Sequence, residues 1–323
     1  MEGSRPPFPL APGPPDPHGK LTLSSTVPCA GSRVPVAGDG YAEDVGILLG
    51  LLAALCYGAS DFLAGLGGRR SDPIAIVAIA QPLGLVAAAV ALAVFPARVP
   101  AAGALWWGAL SGVGSGVGTV ALYRGLATAR MSVVAPLSAV LSAALPALAG
   151  ILLGNRLGPV AWAGVVLAVP AIMMVSVPGD AEHGSRRAGI AAGLVAGAGF
   201  ALLFIALDRA GASAGAWPLV PGQAVATVIV LALAAPAAKR MGPGVWSQAL
   251  RAGIPAGLIS GLANLLYLAA TGAGQLAVVA VVTALYPAVT VLLARLALHE
   301  HWNRLQVIGL LAAAAAVAAI TVN

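Results

Sequence analysis

The sequence predicts an all-α integral membrane protein with ten transmembrane helices, arranged as two inverted repeats of five helices each. A composition of 59% hydrophobic and 9% charged residues, with a mean hydropathy of +0.94, leaves too little polar surface to cover a soluble globule of 323 residues. From residue 45 onward, apolar runs long enough to cross the hydrocarbon as helices alternate with short breaks. The two halves of the chain also repeat one another in sequence.

Residues 1–43 contain nine prolines and no apolar run, which predicts a disordered tail rather than a signal peptide. A misassigned start codon would produce a tail of the same kind. The two cysteines, Cys29 in the tail and Cys56 in the first apolar run, are too few and too differently placed for a disulfide framework or a metal site. We therefore assign neither of them a chemical role.

The predicted transmembrane helices follow the tail with no room for an extramembrane domain between them. They cover residues 45–66, 74–95, 103–123, 132–153, 159–178, 188–207, 216–237, 250–270, 276–298 and 304–322. The first repeat is predicted to span residues 44–180, and the second repeat residues 181–323.

The repeat is visible at a nearly constant offset. Residues 131–155 match residues 276–300 at an offset of 145, and Gly46-Ile47 matches Gly189-Ile190 at an offset of 143. Because each copy has an odd number of helices, the second copy starts on the opposite side of the membrane. The sequence therefore predicts repeats related by a two-fold axis in the membrane plane.

Basic residues in the breaks agree with the inversion. Outside the tail, eleven of them fall on one predicted side, and only Arg98, Arg156 and Arg209 fall on the other. The positive-inside rule places the richer side in the cytoplasm and both termini outside, in a multi-pass protein of the plasma membrane. The 17 basic residues form no stripe or cluster, so the net charge of +6 does not indicate nucleic-acid binding.

The chain resembles the drug/metabolite transporter superfamily, EamA type, over residues 45–322. The resemblance rests on Tyr57-Gly58-Ala59-Ser60-Asp61-Phe62 followed by Arg69-Arg70, on the pair Gln81-Pro82, and on two corners, Leu153-Gly154-Asn155-Arg156 and Leu298-His299-Glu300-His301. The first corner lacks the acid of the family pattern, and the second lacks its glycine and arginine. The resemblance implies a ten-helix transporter of small molecules.

Two helix faces contain the most informative polar and aromatic residues. Tyr57 and Asp61 lie on one face of the first helix, and Phe200 and Phe204 occupy the matching face of the sixth. An intramembrane carboxylate needs an explanation, either as a proton or cation site facing a cavity or as half of an ion pair with Arg69 or Arg70. The two rings either line the same cavity or simply pack between helices.

Hydroxyl and amide side chains in other helices extend the candidate binding set. Its remaining members are Gln81, Ser115, Thr119, Tyr123, Gln223, Asn264 and Tyr267. A buried amide or phenol needs a hydrogen-bond partner, which a substrate can supply. The glycines around Ser115 are more simply explained by close helix packing.

Prolines interrupt the fourth and ninth helices. Pro136, Pro146 and Pro287 each remove a helical hydrogen bond, so they predict bends that act either as a gate or as static kinks.

The function predicted from these features is secondary transport of small organic metabolites or drugs, as an exporter using alternating access, with protons as a candidate coupling ion. A flippase for lipids or lipid-linked sugars is the alternative within the same fold. A lipid enzyme is disfavoured because no predicted helix pairs a histidine with a carboxylate in the membrane core. We assign no catalytic residue, metal or cofactor. The expected partners are the small-molecule substrate and the lipid bilayer, and a monomer suffices.

Overall fold

A computed structural model describes residues 39–128, 131–175, 185–298 and 304–321, which are almost entirely helical. The α-helices of this part of the chain are α1 (Asp39–Gly68), α2 (Pro73–Val94), α3 (Ala102–Thr128), α4 (Met131–Leu152), α5 (Pro159–Val175), α6 (Arg186–Ala210), α7 (Leu219–Ala238), α8 (Pro243–Ala273), α9 (Leu276–Thr283), α10 (Tyr286–Leu298) and α11 (Arg304–Thr321). A single 3-10 turn, Ala212–Ala214, precedes α7.

The ninth predicted helix is divided into α9 and α10 by a break at Ala284 and Leu285. Pro287 has no N–H with which to continue the helical ladder, but it fits the first turn of a new helix. The first repeat has Ser142 at the corresponding position, and its hydroxyl donates a hydrogen bond of 2.9 Å to the carbonyl of Ala139. Helix α4 runs unbroken through Pro136 and Pro146. The proline positions thus coincide with a break in the second repeat only.

The predicted disordered tail was placed too far along the chain, because α1 already begins at Asp39. Acidic residues near a helix N-terminus complement its dipole, and Glu43 also accepts a 2.7 Å hydrogen bond from Nε2 of Gln275. Residues 1–38, with Cys29, lie outside the described residues. So do residues 176–184, where the boundary between the repeats was predicted, and residues 299–303 of the second corner.

Seven stretches of the described chain are long and apolar enough to cross a membrane. They lie in α1, α2, α4, α6, α7, α8 and the α9–α10 pair, while α5 and α11 are apolar but shorter. Large apolar side chains such as Leu48, Trp106 and Leu311 are more than half exposed on the outer surface of the bundle. Contiguous apolar surface of this kind is unstable in water and suits lipid contact. The chain is a multi-pass membrane protein.

Contacts at the helix ends agree with the inverted repeat. The start of α1 meets the end of α8 through Glu43 and Gln275, while Ser71, just beyond α1, donates a 2.8 Å hydrogen bond to the carbonyl of Val245 at the start of α8. Helices α1 and α8 are therefore antiparallel. Their repeat counterparts α6 and α3 are antiparallel too, because Arg209 near the end of α6 lies 5.7 Å from the ring of Trp107 near the start of α3.

Glycines allow these helices to approach at backbone distance. A Cβ atom added to Gly112 of α3 would lie 2.0 Å from the carbonyl oxygen of Gly222 in α7. In the symmetry-equivalent contact, a Cβ atom on Gly257 of α8 would lie 2.3 Å from the carbonyl oxygen of Ala80 in α2. Small residues at such crossings drive helix association in membranes. Gly112 and Gly257 therefore serve packing.

The first corner, Leu153-Gly154-Asn155-Arg156, follows the end of α4 and contacts the second repeat. Gly154 has a φ of 101°, a conformation that favours glycine. The N–H of Asn155 donates a 2.9 Å hydrogen bond to the carbonyl of Gly150. The side-chain Oδ1 of Asn155 accepts a 3.1 Å hydrogen bond from the N–H of Ala277, in the first turn of α9. Asn155 thus caps a helix of the other repeat.

Replacing Asn155 by alanine should destabilise the protein by about 1 kcal/mol, because an N–H at the start of α9 loses its partner. Asn155→Asp should raise stability by about 0.3–1 kcal/mol, since a carboxylate there also complements the helix dipole. Thermal unfolding in detergent at low ionic strength measures both changes. An alanine variant as stable as the parent would contradict a capping role.

Candidate functional site: a cavity between the repeats

A cavity of about 100 Å³ lies between α1, α2 and α3 of the first repeat and α6, α7, α8 and the start of α10 of the second. Its polar and aromatic lining residues are Tyr57, Ser60, Asp61, Gln81, Ser115, Thr119, Tyr123, Phe200, Phe204, Gln223, Ser260, Asn264 and Tyr286. Pockets for drug-sized ligands usually measure about 300–1,000 Å³. The observed volume suits a small head group, and a larger ligand requires the helices to move apart.

The structure brings the predicted binding residues together, with the exception of Tyr267. That side chain is fully buried, its hydroxyl donates a 3.3 Å hydrogen bond to the carbonyl of Phe204, and the two ring centroids are 4.6 Å apart. Tyr267 therefore supports the wall behind Phe204 and does not line the cavity.

Asp61 presents an unpaired carboxylate to the cavity. It forms no hydrogen bond or ion pair with any residue in the described part of the chain, and Arg69 and Arg70 lie exposed beyond the end of α1. The alternative of an ion pair with either arginine is thus not observed there. The hydroxyls of Tyr57, Tyr123 and Tyr286 are close enough to interact electrostatically with this carboxylate.

Two hydrogen-bonded pairs cross the cavity from one repeat to the other. The hydroxyl of Tyr57 in α1 donates to Oδ1 of Asn264 in α8 at 2.9 Å, and Nδ2 of Asn264 donates to the carbonyl of Ser260 at the same distance. Nε2 of Gln81 in α2 donates to Oε1 of Gln223 in α7 at 2.7 Å. Each of these amides thus has a hydrogen-bond partner, whereas Asp61 is the charged group of the lining with none among the described residues.

The aromatic side chains form a connected wall beside Asp61. Tyr57 meets the edge of Phe204 with a centroid distance of 6.1 Å, and it lies at the same distance from Tyr286 in a tilted arrangement. Tyr286 is the first residue of α10, immediately after the helix break. The break therefore positions a ring of the second repeat against a cavity residue of the first.

The lining residues are paired by the internal repeat. Ser115 and Thr119 correspond to Ser260 and Asn264 at the offset of 145, as Tyr57 and Asp61 correspond to Phe200 and Phe204 at the offset of 143. The cavity thus lies where equivalent residues of the two repeats face each other. Its walls differ in chemistry, because the acid of the first repeat is replaced by a ring in the second.

The sequence did not predict Ser60, Ser260 or Tyr286 as binding residues. Ser260 was available from the repeat, as the counterpart of Ser115. Ser60 donates a 2.9 Å hydrogen bond to the carbonyl of Ala256, so its place is set by the contact with α8. No pattern in the sequence indicates that contact.

The cavity lies nearer one end of the bundle. A buried cluster that includes Phe204, Leu207, Leu219, Tyr267 and Val279 borders it on the side where the basic residues are few. The lining residues of α1 lie in its second half, towards the end followed by Arg69 and Arg70. The cavity is therefore displaced along α1 towards the basic side.

Pro146 and Pro287 do not line the cavity. Pro146 is fully buried within α4, and Pro287 is half-buried beside Tyr286. Of Pro136, the structure gives only its position in α4. In the part of the chain that the structure describes, no three His, Cys, Asp or Glu side chains are grouped so as to hold a metal ion.

Comparison with known proteins identifies the family. The sequence model described as the EamA-like transporter family matches residues 44–177 and again residues 187–322. No curated protein matches the chain at a significant level. Among the 21 matching chains of solved structures, one described only as a protein has a TM-score of 0.67 at 20% identity, over 87% of this chain and 97% of its own, which supports the fold. The double match covers nearly all of the helical region, and the chain belongs to the EamA-like transporter family of membrane transporters.

Proposed function

We propose that the chain is a secondary transporter that exports small organic metabolites or drugs across the plasma membrane by alternating access, with protons as the coupling ion. The observation that carries this proposal is the cavity lined by paired residues of the two repeats. A site at the interface of inverted repeats is exposed to either side by rocking one repeat against the other. A monomer contains the whole site.

We propose ten membrane crossings for this arrangement, three more than the seven stretches that are long and apolar enough by themselves. The α9–α10 pair acts as one span, and α3, α5 and α11 complete the set. Helix α3 is less apolar because glycines replace larger apolar residues where it contacts α6 and α7. Both termini then lie on the same side of the membrane.

The direction of transport is inferred from charge. The positive-inside rule assigns the side of Arg69, Arg70 and Arg124 to the cytoplasm and the termini to the outside. The cavity lies nearer that side along α1, which supports loading of substrate from the cytoplasm. Export follows when the repeats rock and the opposite side opens.

Asp61 is proposed as the proton-coupling residue. An unpaired charge inside a membrane is costly, so the carboxyl group of an empty site binds a proton unless a substrate replaces it. The titratable groups facing Asp61 are the hydroxyls of Tyr57, Tyr123 and Tyr286, and the lining contains no basic residue. Protons and substrate therefore compete for one carboxylate.

Untargeted comparison of metabolites exported by cells with and without the protein tests the function. We expect at least one organic solute to accumulate outside the producing cells, and the same solute to move in proteoliposomes under a pH gradient. If instead labelled phospholipid crosses the bilayer and no solute does, the flippase alternative is correct and the proposal is wrong.

Asp61→Asn should remove the effect of the pH gradient on flux, because the amide cannot carry a proton between the two sides. The matched control is Asp44→Asn, which changes an exposed carboxylate on the same helix outside the cavity and should keep the gradient dependence. Unchanged gradient-driven flux in Asp61→Asn would show that protons are not coupled at this residue.

A further inference from the structure

We propose that the substrate is an organic monocation, such as an alkylammonium compound, whose positive group binds at Asp61 and whose apolar part contacts the aromatic wall. This inference rests on the proposed transport function and adds the charge class of the solute to it.

The charge of the lining residues favours a cation. Asp61 is the only carboxylate in the lining, and the lining contains no Lys, Arg or His. Since the lining holds no cation to neutralise its ionised form, a positive group that displaces the proton would be its counter-ion. A carboxylate or phosphate on a substrate would find no cation in the lining, so the site favours a positive group over an anion.

The lining also disfavours zwitterions. An amino acid could place its ammonium group at Asp61, but its own carboxylate would then need hydrogen-bond donors. The lining offers neutral hydroxyl and amide donors but no cation, and the donors of Gln81 and Tyr57 already bond to Gln223 and Asn264. A second buried charge held by neutral donors alone, without a counter-ion, costs free energy. A solute with a net positive charge avoids this cost.

The aromatic wall also favours a cation. Aromatic faces attract cations, and Tyr57, Phe204 and Tyr286 lie in contact beside the carboxylate. The same rings provide apolar surface for the carbon skeleton. Because the repeat counterpart of Asp61 is Phe204, the site offers one negative charge only, which matches a single positive charge.

The volume of the cavity limits the size of a ligand that can bind. A cavity of about 100 Å³ holds an ammonium group with a short branched chain without movement of the helices. Four probes that share one branched chain then isolate charge. They are isopentylamine as the cation, isopentanol as the neutral compound, 4-methylpentanoate as the anion and leucine as the zwitterion.

Equilibrium dialysis of the radiolabelled probes against the purified full-length protein in nanodiscs tests the proposal. We expect isopentylamine to bind at least about tenfold more tightly than each of the other three, the equivalent of roughly 1.4 kcal/mol. Asp61→Asn should remove this preference, so that the amine and the alcohol bind alike. Asp44→Asn should retain it.

Three outcomes would overturn the proposal: tighter binding of the anion or the zwitterion, no preference for the amine with absent binding included, or a preference that survives Asp61→Asn. Flux measurements on the same protein separate this failure from that of the proposed function. If a neutral or anionic metabolite moves in proteoliposomes, transport stands and the charge class is wrong. If no solute moves, the transport function itself fails.

Discussion

Filling the cavity by Ser115→Phe should abolish transport and leave the protein folded. Ser115 is half-buried and lines the cavity, whose volume of about 100 Å³ is little more than the space a phenyl ring occupies. The ring would take the place of the substrate beside the aromatic wall. Solute flux in proteoliposomes should fall to that of protein-free liposomes, while size-exclusion elution in detergent stays that of the parent.

The repeat supplies a second test of the same idea. Ser260→Phe should block flux equally, because Ser260 is the counterpart of Ser115 and lines the same cavity. Val113→Phe is the matched control, since this neighbouring residue of α3 is 38% exposed on the outer surface and should tolerate the ring. Parent-level flux in Ser115→Phe, or an equal block in Val113→Phe, would show that the cavity is not the transport route.

The positions of the helices were predictable because the bilayer fixes their length. A span needs roughly 20 apolar residues, so the breaks between the apolar runs marked the helix ends to within a few residues for most helices. The inversion followed from the odd number of helices in each repeat. Helix α8 is the main departure, since it begins at Pro243, seven residues before its apolar run, where proline is well placed to start a helix.

The break between α9 and α10 depends on more than local sequence. Pro136 and Pro146 lie in a helix that stays continuous, whereas the chain before Pro287 breaks. Two hydrogen bonds hold the broken region against α1: Thr283 donates to the carbonyl of Gly50 at 3.4 Å, and Thr290 donates to that of Gly58 at 3.1 Å. Such contacts between distant segments are not visible in a local sequence pattern. The prolines therefore predicted where a helix could bend, but not which of the two helices would break.

The same limit explains the outcome for the site residues. Tyr123 and Tyr267 are close counterparts in the repeat and equally plausible as ligands, yet only Tyr123 lines the cavity. A small rotation of a helix decides whether a phenol faces a cavity or a neighbouring helix, and sequence spacing does not resolve it. For Asp61, the sequence left open a cavity site or an ion pair with arginine, because depth along α1 is compatible with both.

Replacing Gly112 by alanine should have the largest effect on stability of any single-methyl change in the bundle. The added Cβ atom would lie 2.0 Å from the carbonyl oxygen of Gly222, and backbone cannot move away as a flexible side chain can. Helices α3 and α7 would have to separate, which also removes the dispersion contacts of their neighbours. We expect a loss of about 3 kcal/mol, at the upper end of what overpacking usually costs. Thermal unfolding in detergent measures the loss.

Gly65→Ala is the matched control, because a Cβ atom at Gly65 in α1 would have no atom within 4 Å outside its own helix segment. Alanine is the better helix former, so this variant should be neutral or more stable by about 0.5–1 kcal/mol. The two changes add the same methyl group and differ only in what it meets. If Gly112→Ala unfolds at the same temperature as Gly65→Ala, α3 and α7 do not approach at backbone distance, and the two-fold pairing of α3–α7 with α8–α2 on which the cavity depends is wrong.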